Sequence, residues 1–162
     1  MNKFLVINTI VLSLILGIIL GVIAVIPKVG MIGLISALLL AAPLVIVYLI
    51  MDGKFDLTTP KDSILTGALI GFSTNITFSV CYCIIMAIMS VGFHHTTNFF
   101  LTAMITNSPI WLLLVFIIFI GILFATTNAF TGFATYYIIN FIRDIYEKQH
   151  PANQQEYREK LK

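Results

Sequence analysis

FLVINTIVLSLILGIILGVIAVI, residues 4–26, decides how this chain must be read. The stretch carries no charge, and about 20 mainly apolar residues suffice for a helix to cross roughly 30 Å of hydrocarbon. Lys3 just ahead of it raises a secretory signal as an alternative. The apolar run is too long for that, and no small-x-small cleavage site follows it. An uncleaved membrane span is the expectation.

Composition extends the same conclusion to the whole chain. Of 162 residues, 59% are apolar and 10% charged, with a mean hydropathy of +1.03. A soluble domain carries about 25% charged residues, so the polar coat such a fold needs is missing. Net charge is +2 with its basic residues scattered or in the tail, which gives a nucleic-acid partner no support. The two cysteines, Cys81 and Cys83, are two apart and would point in divergent directions on a helix. They form neither a disulfide framework nor a CxxC motif.

Three further spans follow. Pro27, Lys28 and Gly30 turn the chain into residues 29–51, where Pro43 predicts a kink. Residues 52–62 are polar, and Thr59, Pro60 and Asp62 read as N-cap, N1 and N3 of a third span over residues 60–93. Residues 94–108 read as a loop or short interfacial helix. Ser108 and Pro109 repeat the cap-then-proline signal ahead of a fourth span over residues 109–142. The expected fold is an all-α membrane protein, a four-transmembrane-helix bundle over residues 1–150 with a polar tail over 151–162.

In this arrangement Lys3, Lys54, Lys61, Arg143, Lys148, Arg158, Lys160 and Lys162 share one side, and only Lys28 falls on the other. Basic loops stay cytoplasmic, so both termini are expected there, in a bacterial inner (plasma) membrane. Trp111 at the outer end of the fourth span, with Tyr136 and Tyr137 near its inner end, fits the aromatic belts.

The spans lack intramembrane acids, bases and histidines. Proton relays, ion-coupled pumps and voltage sensors usually carry them, and haem inside the bundle would want a histidine ligand. No catalytic residue, metal site or cofactor is expected. His94 and His95 with Met86, Met89 and Met104 could suggest soft-ligand copper binding, but nothing fixes their geometry, and a solvated turn is the preferred reading.

What the spans do hold is small residues at helical spacing: Ser13, Gly17 and Gly21; Gly33, Ala37 and Ala41; Gly67 and Gly71; Gly121, Ala125 and Gly132. Such stripes let helix backbones approach closely in lipid. Two polar triplets, Ser73-Thr74-Asn75 and Thr126-Thr127-Asn128, share these faces. Counted from Asp62 and Arg143, both asparagines lie about 20 Å from the cytoplasmic end. An unpartnered amide in hydrocarbon costs several kcal/mol. The expectation is therefore an interhelical clamp, Asn75 bonding Asn128 with help from Thr74 and Thr127. The alternative is a polar pocket for a small neutral solute or lipid headgroup.

The third span also overshoots the bilayer. Its apolar outer end is expected to be covered by a lid formed from Phe99, Phe100, Leu101, Met104 and Ile105. Together these features point to a non-enzymatic membrane component, a structural or accessory subunit with the lipid bilayer and a membrane-protein partner or second copy around it. The runner-up is a channel or facilitator for an uncharged solute or lipid, centred on Asn75 and Asn128.

Overall fold

A computed structural model describes residues 3–26, 29–53, 59–94 and 99–149. Among these the chain is entirely helical: α1 (Lys3–Val25), α2 (Gly30–Leu39), α3 (Ala41–Met51), α4 (Pro60–Phe93), α5 (Phe99–Asn107) and α6 (Ile110–Gln149). Helices α1, α4 and α6 are each long and apolar enough to cross a membrane, and α2 with α3 makes a fourth if the bent pair is one span. The polar tail, Lys28, Lys54 and His95 lie outside the described residues.

The helix starts follow from local chemistry. Thr59 caps α4, its Oγ1 accepting the Asp62 N–H at 3.2 Å and donating to Asp62 Oδ2 at 2.9 Å. Pro60 stands where a missing N–H costs nothing. At α6 the helix begins at Ile110, and the Pro109 carbonyl accepts from Leu112 N–H at 3.0 Å. Pro109 rather than Ser108 is thus the last residue before the helix. At the far end of α4, His94 takes a left-handed conformation (φ 50°) and closes the helix with its N–H on the Met89 carbonyl. It is exposed there, while Met86 is buried. Among the described residues no three His, Cys, Asp or Glu side chains come together to hold a metal.

Helix α4 is central, packed most extensively on α6 and next on α1. Gly17 faces Thr74 to Phe78 and Gly21 faces Phe78 and Cys81, so α1 and α4 run parallel. Gly67 faces Asn128, Gly71 faces Phe124 and Asn128, and Gly132 faces Ser63, so α4 and α6 run antiparallel. At Gly17, Gly67, Gly71 and Gly132 the nearest atoms of the facing helix are backbone carbonyls, and at Gly21 they are the Cys81 side chain and the Phe78 carbonyl. Ser63 Oγ adds a hydrogen bond across the seam, donating to the Gly132 carbonyl at 2.7 Å.

The segregation of side chains is that of a protein dissolved in lipid. Thr9, Ser13, Ser63, Thr66, Thr74, Asn75 and Asn128 are completely buried, whereas Ile118, Phe119, Ile122, Leu123 and Phe130 are more than half exposed. In water this surface would be a contiguous apolar patch far beyond what a monomer tolerates. In hydrocarbon the exposed Ile, Leu and Phe are solvated, and packing and hydrogen bonds hold the interior. The chain is a multi-pass membrane protein.

The pair α2–α3 runs back alongside α1. Gly33 packs on Leu20 and Ile23 near the end of α1, while Leu49 shares a core cluster with Leu5 near its start. Between them the axis bends by 61° at Leu40. The kink predicted from Pro43 is present three residues earlier. In a straight helix its ring would collide with the carbonyl four residues back, at Leu39, and it has no N–H to offer it.

Candidate functional site

At the bend, backbone groups lose their helical partners. Leu40 N–H still reaches the Ser36 carbonyl at 2.9 Å, and Leu44 N–H reaches Leu40 at 3.0 Å. Between those bonds, an unbroken helix would pair Ala42 N–H with the Leu38 carbonyl. Here Ala42 N–H donates instead to Asn128 Oδ1 at 2.8 Å. Asn128 Nδ2 in turn donates to the carbonyls of Leu38 at 3.0 Å and Ala37 at 3.3 Å, and to Phe124 of its own helix at 3.0 Å. One side chain from α6 therefore takes up Ala42 N–H and the Ala37 and Leu38 carbonyls at the break in α2–α3. In lipid such groups must find partners within the protein.

This overturns the expected Asn75–Asn128 pair. The two asparagines have different partners: Asn75 Nδ2 donates to the Ile117 carbonyl at 3.3 Å, and its Oδ1 accepts from Ser79 Oγ at 3.5 Å. They are not at one depth either, since Asn75 lies against Gly121 and Asn128 against Gly67 and Gly71. On α6 that separation is two turns, about 10 Å. The estimate failed because Asp62 and Arg143 do not mark the same level. Ser63 sits beside Gly132, and Arg143 lies about three turns further along α6.

The supporting hydroxyls do other work. Thr126 and Thr127 donate to the Ile122 and Leu123 carbonyls of their own helix at 2.8 and 3.0 Å. Thr74 is fully buried with no hydrogen-bond partner for its Oγ1, and the carbonyl of Ser73 accepts from Thr77 Oγ1 at 3.0 Å. Of the six residues in the two triplets, only Asn128 clamps one helix to another with short bonds to both sides of a break. Asn8 and Thr9 on α1, passed over in the sequence, add buried polar atoms without partners.

The bend also makes room. It carries α2 away from the line of α3, and a cavity of about 440 Å³ lies between α2 and the first half of α6. Phe124 is at its apex beside the Asn128 clamp, and Leu113 and Phe116 lie further up α6. Met31 and Leu34 of α2 form the opposite wall, and Met104 and Ile105 of α5 close it from the side. The expected lid over α4 is thus a helix that walls a hollow; the side chains of Phe99, Phe100 and Leu101 lie outside the described residues.

Ala24, Val25 and Ile26 at the end of α1 add apolar lining, and α4 presents Asn75, Ser79, Tyr82 and Cys83. These fall at i, i+4, i+7 and i+8, one face of a helix. Continuing the Asn75 face by that spacing would have found Ser79 and Tyr82 from sequence. The distances separate the two asparagines chemically. Asn128 has both ends engaged, Oδ1 by Ala42 N–H and its two Nδ2 hydrogens shared among three carbonyls, whereas the Asn75–Ser79 link is longer than the 2.5–3.0 Å of a good O–H···O bond, which leaves the Ser79 hydroxyl free to turn toward a guest. Comparison with known proteins adds no relative to this picture: no protein family, curated protein or solved structure matches the chain.

Proposed function

We propose that this protein is a non-enzymatic facilitator that takes an uncharged, largely apolar small molecule or lipid into the hollow between α2, α4, α5 and α6. The observation that carries the reading is the cavity itself, apolar on most sides with a strip of neutral polar groups on α4. Small-molecule sites have this character, an apolar enclosure with a few placed polar groups, over about 300–1,000 Å³. A helix broken next to the site is a recurrent feature of membrane carriers. We place the chain as four crossings with both termini on the cytoplasmic face of a plasma membrane, an orientation supported by the lysine and arginine bias.

Reconstituted liposomes test the proposal. Transbilayer movement of a fluorescent neutral lipid with one acyl chain, and of one with two, is measured against protein-free vesicles. The wild type is expected to accelerate at least one of them, and Leu34→Trp, which fills the hollow from α2, is expected to return it to the protein-free rate. Wild-type vesicles indistinguishable from empty ones in both assays would remove the proposal.

A structural or accessory role is the second reading, and α6 supports it. Beyond the level of Ser63 and Gly132 the helix continues to Gln149, exposing Ile138, Phe141, Ile142 and Ile145 at helical spacing. A partner subunit seated on that extension would co-purify in mild detergent at fixed stoichiometry and be lost when Phe141 and Ile142 are both changed to Ala.

A further inference from the structure

Resting on the proposed role of the cavity, we infer its ligand class: a neutral, single-chain amphiphile whose hydroxyl-bearing head lies on Ser79 and Tyr82 and whose chain lies between α2 and α6. The polar groups are confined to one wall, on α4, and none of the residues lining the hollow is charged. A carboxylate or phosphate head would therefore lose its hydration with no cation to receive it, at a cost of several kcal/mol. A small polyol such as glycerol fails for the opposite reason. Its hydroxyls point in every direction, and away from α4 the lining side chains are all apolar, Ala, Val, Ile, Leu, Met and Phe.

A hydroxyl-bearing head on one polar strip, with an apolar chain against the other walls, satisfies both constraints. Ser79 Oγ, 3.5 Å from Asn75 Oδ1, can re-aim at little cost and accept or donate. Tyr82, stacked on Phe78 with ring centroids 6.2 Å apart, holds a second hydroxyl at the same wall. Met31 and Met104 on the facing sides are unbranched and adaptable, suited to a flexible hydrocarbon chain. A volume of about 440 Å³ is at the small end for ligand sites, which favours one chain over two.

The protein carries its own reporter. Cys83 lines the cavity, while Cys81 faces the other way, along a shallow groove beside Ile18 of α1. The experiment uses the full chain in phosphatidylcholine nanodiscs, as Cys81→Ala to leave only Cys83 and as Cys83→Ala to leave only Cys81. Alkylation by N-ethylmaleimide is timed with monoolein, oleate or glycerol present. Monoolein at ten times its Kd is expected to slow Cys83 about tenfold, with Cys81 unchanged. Oleate, the same chain with a carboxylate, and glycerol are expected to leave Cys83 at its free rate. Tyr82→Phe is expected to weaken monoolein protection about fivefold, with an unchanged Tm.

Protection by glycerol or oleate equal to that by monoolein overturns the assignment, as does equal slowing of Cys81, which would mean partition into the bilayer. So does the absence of any protection. The two proposals fail separately. Flux blocked by Leu34→Trp without monoolein protection leaves the facilitator and removes this ligand class, whereas protection without flux leaves a binding protein that transports nothing.

Discussion

Asn128→Leu is expected to cost about 3–5 kcal/mol, because a buried polar group left unpaired costs about 1–3 kcal/mol and this change strands Ala42 N–H together with the Ala37 and Leu38 carbonyls. Thermal unfolding in a mild detergent should show it as a Tm lower by on the order of 10 °C. The decisive measurement is a double-mutant cycle with Pro43→Ala. Alanine restores an N–H that can bond Leu39, so α2 and α3 can straighten and pair their own backbone groups. The pair of changes should then cost less than the sum of the two. Strictly additive losses would show that Asn128 does not serve the break. Asn75→Leu is the comparison. Its bonds of 3.3 and 3.5 Å are long, and its loss is expected to stay near about 1 kcal/mol.

Gly71→Val is expected to cost about 3 kcal/mol or more, at the upper end for overpacking in a close-packed interior. A Cβ at residue 71 would collide with the Phe124 carbonyl oxygen and come within 2.6 Å of Asn128 Cβ. The first obstacle is backbone, which cannot swing aside as the end of a flexible side chain can. Helices α4 and α6 must therefore separate, and α6 carries the Asn128 amide with it. Loss of packing and loss of the clamp come together, so Gly71→Val should also abolish ligand-dependent protection of Cys83. Gly92→Ala is the control, since nothing lies within 4 Å of a Cβ built there. It should raise stability by about 0.5–1 kcal/mol through helix propensity alone. A Tm order with Gly92→Ala above wild type and Gly71→Val well below it is the expected outcome. A Gly71→Val protein at the wild-type Tm would mean that α4 and α6 do not need this close approach.

The two lesions meet at one place for a physical reason. Without water, backbone groups freed at the bend have no external partner, and Asn128 supplies one for Ala42 N–H and for the Ala37 and Leu38 carbonyls. Asn128 is held there by α6 lying close to α4, which the glycines at 67, 71 and 132 permit. The hollow above the bend exists because α2 departs from the line of α3. Its chemistry is set by the face of α4 that the departure uncovers.

Much of this was legible in the residues. The long apolar helices follow from uncharged stretches measured against bilayer thickness, and the start of α4 follows from Thr59, Pro60 and Asp62, whose bonds are local. The kink follows from Pro43, and the backbone contacts at Gly17, Gly67, Gly71 and Gly132 follow from their spacing. The spans, the cap and the kink depend on neighbours within a few turns, where periodicity and propensity act, and the glycine spacing marks a close-packing face without naming its partner. The partner of Asn128 is another matter, because Ala42 lies 86 residues away. Which amide meets the broken helix depends on the axial offset between α4 and α6, and charged residues cannot report that offset when one helix runs on past the end of the other. The cavity is likewise tertiary. A sequence can announce that a helix must bend, but the direction of the bend, and the space it opens between α2 and α6, are decided by the packing of the whole bundle.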